Sequence, residues 1–134
     1  LEVTEVEGGR LKTQSEDDLD EDLEDYEYDE EEMIFEIQSL GEELRKMQIS
    51  FAELVKCSPE SKKGKRELDF AVDYIMGDVP AQRKVLYEGI VPVSKIMDNT
   101  NVSRKILEQH RKYIIALVVI LLGDYPLLSN YINA

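Results

Sequence analysis

Residues 92–122 read PVSKIMDNTNVSRKILEQHRKYIIALVVILL. Pro92 suits the head of a helix, where its missing N–H would be unpaired in any case. That first helix is expected to end near Asp98. Asn99-Thr100-Asn101-Val102 reads as a turn. Ser103 is a helix N-cap residue, and the helix it starts is expected to run to Leu122, where Gly123 stops it. A short helix, a four-residue turn and a second helix with basic residues at its start form a helix-turn-helix layout, placed at about residues 92–122.

The second helix has two faces. Helical residues step by ~100°. With Leu107 at zero, Arg104, Lys105, Glu108, Gln109 and Lys112 fall in one arc. Ile106, Leu107, His110, Tyr113 and Ile114 fall in the opposite one. One side can pack on the preceding helix through Ile96 and Val102, while the other presents long cationic and amide side chains. The DNA major groove admits such a helix. Arg104 and Lys105 suit guanine O6 and N7, Gln109 suits adenine, and Glu108 can accept from cytosine N4. Arg111 and Lys112 suit phosphate, and the free N–H groups behind Ser103 favour an anion. Lys62, Lys63, Lys65 and Arg66 form a second basic cluster suited to backbone contact. The alternative is an amphipathic helix that is merely solvated.

Outward from this stretch the chain stays helical. Met33, Ile34, Ile37, Leu40, Leu44 and Met47 recur at helical steps, the spacing of one apolar face. Gly41 should weaken that helix by ~1 kcal/mol relative to Ala. Ser50-Phe51-Ala52-Glu53 is a capping box that opens a short helix to about Lys56. Ser58-Pro59 breaks the chain, and 58–64 reads as a polar, basic loop. A third helix is expected over 65–76. A fourth, capped by Asp78, is expected over 80–88 and ends at Gly89. A last short helix should cover 126–132. No strand of useful length and no internal repeat is present, so the expected class is all-α: a small helical domain over 33–134, preceded by an acidic disordered tail over 1–32.

Charge separates the same two parts. The 134 residues carry 29 Asp and Glu against 16 Lys and Arg, a net charge of -13. Residues 1–32 hold 16 of those acids and only Arg10 and Lys12 as bases, so the remainder is close to neutral. Such a stretch, with Leu19, Leu23, Tyr26 and Tyr28 as its apolar matter beyond Ser15, cannot bury a core and is expected to be disordered. Leu19, Leu23 and Tyr26 nonetheless sit at helical spacing, so a partner could fold the segment. Asp18, Asp20 and Asp22 alternate as in a calcium loop, but Leu23 and Asp29 stand where that loop needs Gly and Glu.

Several function classes lack the residues they need. One cysteine, Cys57, and one histidine, His110, leave no disulfide framework, no His/Cys metal cluster and no Cys-His nucleophile pair. No cofactor or metal is expected, and nothing supports an enzyme. Tyr74, Tyr87, Tyr113, Tyr125 and Tyr131 could stack bases, but their helical positions favour core and rim packing. The longest apolar run, 114–122, is far short of the ~20 residues a span requires, so no membrane insertion is expected. Leu1 opens no signal-peptide pattern, and the chain reads as a piece of a cytoplasmic protein.

Three strings in order carry a family resemblance: Ile49-Ser50-Phe51-Ala52-Glu53-Leu54-Val55-Lys56 with Ser58-Pro59, then Val102 through Ala116 (VSRKILEQHRKYIIA), then Gly123-Asp124-Tyr125-Pro126. Together they resemble the C-terminal domain of the sigma-I family of bacterial RNA polymerase sigma factors, over about residues 33–132. Ile106, Gln109 and His110 depart from the family's usual Thr, Arg and Asn. The resemblance implies that the helix from Ser103 reads the −35 promoter element. It also implies as partners double-stranded promoter DNA, the RNA polymerase core and the cytosolic N-terminal domain of a membrane-anchored anti-sigma factor that silences the protein.

The run 114–122 is apolar all round, and a helix of that kind should be surrounded. A domain of this size covers it only in part, which leaves Leu117, Leu121, Leu127 and Leu128, with Ile34, Ile37 and Leu40, as the expected anti-sigma surface. The rival reading is an all-α protein–protein module with an acidic regulatory tail and no DNA binding. The two differ in one structural demand: promoter recognition needs Arg104, Lys105 and Lys112 exposed together.

Overall fold

The computed structural model describes residues 16–133, with side chains over 30–132. The chain divides into two units, 1–35 and 36–134. Among the described residues there are eight α-helices, one π turn and no strand, as the periodicity predicts. No helix among them is long and apolar enough to cross a membrane.

Helix α1 (Glu16–Lys46) begins well inside the acidic stretch that composition marks as unstructured. Residues 1–15, and the aspartates of the calcium-like alternation as side chains, lie outside what is described. The C-terminal part of α1 buries Leu40 and Leu44. It closes with a Schellman pair: Gln48 N–H donates to Arg45 and Ile49 N–H to Leu44, each at 2.9 Å. Gln48 holds the left-handed position at φ 63°. Gly41 has a packing reason, because a Cβ there would lie 3.1 Å from the Phe51 ring.

Helix α2 (Phe51–Lys56) carries both halves of the capping box. Glu53 N–H donates to Ser50 Oγ at 3.2 Å, and Ser50 N–H to Glu53 Oε1 at 3.0 Å. Helix α3 (Lys62–Met76) starts three residues before the expected position, since Ser61 Oγ accepts the Gly64 N–H at 3.0 Å and caps it. The basic cluster therefore stands on a helix, not on a loop. Leu68, Ala71, Val72 and Ile75 form its buried face. The single helix expected over 80–88 is instead α4 (Val79–Arg83) followed by a π turn (Lys84–Glu88). Gly89 ends it at φ 66°, a conformation other residues rarely adopt. Asp78 makes no side-chain cap; its carboxylate faces Lys95, 2.8 Å from Nζ.

Helices α5 (Val93–Asn99) and α6 (Arg104–Gln109) form the expected pair. The long helix to Leu122 does not form. His110 leaves the helical conformation at φ -110°, ψ 24°, and α7 (Arg111–Leu122) starts anew. Helix α7 is the centre of the core. Ile114, Ile115, Ala116, Val118, Val119 and Ile120 are buried, and α7 packs against α2, α3, the π turn, α6 and α8. At its end Gly123 has no room for a side chain: a Cβ would sit 2.8 Å from the Val119 carbonyl and 2.7 Å from the Tyr125 ring. Helix α8 is Pro126–Asn133. Its first turn is capped from a distance, because the buried Glu36 carboxylate accepts the N–H groups of Leu127 at 3.1 Å and Leu128 at 3.0 Å.

Candidate nucleic-acid interface

The turn between α5 and α6 is fixed by short-range chemistry. Thr100 Oγ1 donates to the Ile96 carbonyl at 2.8 Å and accepts the Val102 N–H at 3.2 Å. Asn99 Nδ2 donates to Lys95 O at 2.8 Å. Ser103 Oγ then accepts the Ile106 N–H at 3.3 Å and opens α6. Ile96, Val102 and Leu107 are buried together in the core, so α6 is anchored by its inner side and held against α5 and α3.

That anchoring leaves a polar outer side. Ser103, Arg104, Lys105, Glu108 and Gln109 are exposed, while Ile106 is half-buried and His110 buried. Through Gln109 the two arcs expected from the sequence are present. Arg104 Nη1 lies 3.6 Å from Glu108 Oε2, an exposed pair one turn apart. Such pairs add little and are given up readily.

Beyond Gln109 the restart at His110 changes the arrangement. Arg111 is exposed and one guanidinium N–H donates to the Gly89 carbonyl at 3.3 Å. Lys112 is only half-exposed and is paired with the free carboxylate oxygen of Glu53 on α2. The Lys112 ammonium and the Ser50 N–H hold the Glu53 carboxyl below its usual range. His110 Nδ1–H donates to the Cys57 carbonyl at 2.6 Å, which satisfies an orphan acceptor at the end of α2. Arg104 and Lys105 are thus exposed together, and Lys112 is diverted. The long-range ties of His110 and Lys112 leave no mark in the local sequence. The one available signal is the capping box itself, in which a glutamate uses one oxygen and keeps another free.

The remaining candidates separate by burial. Lys62, Lys63, Lys65 and Arg66 are exposed, with Lys65 Nζ 3.7 Å from Asp69. Leu40 is a core residue, which removes it from any free surface. Leu117, Leu121 and Leu128 are half-buried against the core, and Leu127 is half-buried as well. Ile34 and Ile37, expected in the same surface, are exposed, as are Phe51, Val55, Phe70 and Tyr87 outside it. Tyr125 is buried and Tyr74 and Tyr113 are partly so, as expected for packing, whereas Tyr87 and Tyr131 face solvent.

Comparison with known proteins gives relatives of one kind. The chain is 33% identical over 110 residues to RNA polymerase sigma factor SigI7 of Acetivibrio thermocellus, a match covering 79% of this chain and 47% of that protein. It is 33% identical over 90 residues to RNA polymerase sigma factor SigI of Bacillus anthracis, covering 67% of this chain and 38% of that one. It is 32% identical over 99 residues to SigI of Bacillus subtilis, covering 73% and 39%. The chain thus spans less than half the length of these relatives. No family model matches it, and no solved structure does.

Proposed function

Taking the chain as a relative of the SigI-type RNA polymerase sigma factors, we propose that residues 33–134 are a promoter-recognition domain whose helix α6 reads the −35 element in the major groove. The observation that carries this reading is the outer side of α6: Arg104, Lys105, Glu108 and Gln109 exposed over a buried Leu107, behind a turn that is bonded on both sides. Arg104 and Lys105 donate to guanine, Gln109 pairs with adenine and Glu108 accepts from cytosine. Ser103 and Arg111 hold phosphate, since a guanidinium has five N–H donors and the Gly89 carbonyl takes one. The RNA polymerase core is the larger partner. The cytosolic domain of a membrane-anchored anti-sigma factor silences the protein through the half-buried edge formed by Leu117, Leu121, Leu127 and Leu128. Charge substitution at Leu127 in a variant that still folds then abolishes capture by that domain; unaltered capture removes this part of the reading.

Duplex binding tests the DNA part. Arg104→Ala is expected to cost ~1–3 kcal/mol on a preferred duplex and to relax selectivity at one base position. Equal affinity and unchanged selectivity in the variant would contradict the assignment.

A further inference from the structure

Three consecutive side chains at the junction of α6 and α7 each bond outside those two helices. His110 reaches the Cys57 carbonyl at the end of α2, Arg111 reaches Gly89 at the end of the π turn, and Lys112 reaches Glu53 at the start of α2. Two of the three ties go to α2, one near each of its ends. That helix is six residues long and contributes no buried residue of its own. Its contribution to the core is therefore small, and what it offers is two fixed polar anchors. Glu53 is held in place by the capping box through Oε1 while Oε2 takes Lys112. Cys57 is the C-cap residue of the same helix, and its own N–H donates to the Glu53 carbonyl at 3.1 Å.

We infer that α2 is a polar brace that sets the angle of α6, and that Lys112 is a positioning residue that acts through Glu53 instead of contacting DNA. This rests on the proposed reading of α6 as the base-reading helix and says which basic residues do the reading. The physical argument is one of leverage. Helix α6 has six residues and one fully buried side chain, Leu107. A rod so short, joined to α7 through the non-helical His110, keeps its direction only if the junction is held from outside. Base readout needs that direction, because hydrogen bonds to base edges fade steeply with misalignment.

The two roles for Lys112 give opposite signs in one variant. Glu53→Gln keeps the capping box, which accepts Gln as readily as Glu, and releases Lys112. If Lys112 contacted phosphate, the release would leave binding equal or tighter and steepen its dependence on salt. As a positioning residue, its release loosens α6 and lowers selectivity.

The experiment uses the whole chain and a duplex selected from a random pool by the wild-type protein, with a scrambled duplex of the same length. Affinity is measured across a salt series for wild type, Glu53→Gln, Lys112→Met, Lys112→Arg and Lys105→Ala, each checked for helical content. The selected-to-scrambled affinity ratio should fall several-fold in Glu53→Gln and Lys112→Met with the salt slope unchanged, and Lys112→Arg should restore it. Lys105→Ala, which removes a cation from the reading face itself, should lower the ratio and also reduce the slope by about 0.9. A loss of stability alone would move neither the ratio nor the slope. A wild-type ratio in both Glu53→Gln and Lys112→Met, or a steeper slope in Glu53→Gln, overturns the inference while leaving promoter reading intact. Failure of the wild type to select any duplex overturns the reading of α6 and the brace with it.

Discussion

At the scale of single residues, the positions most legible in the sequence are those whose partners are a few residues away. Ser50 and Glu53, Ser103, and Gly89 each do what local spacing predicts, because a cap or a left-handed turn is a short-range device. The partners of Asp78, Lys112 and His110 are illegible for the converse reason, although His110 is buried as its arc predicts. These partners lie 17, 59 and 53 residues away (Lys95, Glu53 and Cys57), and no periodicity encodes such distances. Glu53 gives a test in pH. Its carboxyl is held below the ordinary value of about 4.5 by Lys112 first and by the Ser50 N–H second. A depressed folded-state value means that the carboxylate contributes stability above the unfolded value and loses it as pH falls through the folded one. Urea unfolding of wild type and Glu53→Gln should therefore differ most near neutral pH, with the difference shrinking as pH drops below about 4.5. A gap that stays constant or widens on acidification would contradict the ion pair.

At the scale of elements, periodicity located every helix that faces the core and misplaced several ends. Helix α3 starts three residues before its expected position because Ser61 caps it. No Pro or Gly marks a break within 104–122, so local sequence predicts one unbroken helix there. It is interrupted at His110, whose backbone leaves the helical conformation and whose side chain bonds to the Cys57 carbonyl. A solvent-facing arc on α6 was nonetheless readable, since six residues are enough to set two faces. The end of α1 supplies a prediction of its own. Gln48 adopts φ 63° in the Schellman position, where glycine carries no Cβ penalty. Gln48→Gly should raise stability by about 0.5–1 kcal/mol, of the order found for caps made to match their backbone, and thermal unfolding checks it. A destabilised variant would mean that the Gln48 side chain holds more than its backbone does.

At the scale of the whole molecule, charge and fold are distributed unevenly along the chain. Residues 1–32 carry 16 acids against two bases, while the basic residues of α3 and α6 belong to the second unit. We expect removal of 1–32 to tighten duplex binding at low salt, because a covalently tethered polyanion competes with phosphate for the same cations. The gain should fade towards 0.1 M salt, where screening acts over ~10 Å. Equal affinity of the full and shortened chains at low salt would rule the competition out. The account as a whole depends on the outer side of α6 meeting base edges. Titrating the isotope-labelled chain with its selected duplex, and following backbone amide shifts by NMR, addresses that contact directly. The account predicts the largest changes at 103–109 and Arg111, with those on the outer face of α3 smaller; shifts confined to α8 and the exposed apolar residues of α2, with α6 unmoved, would contradict it.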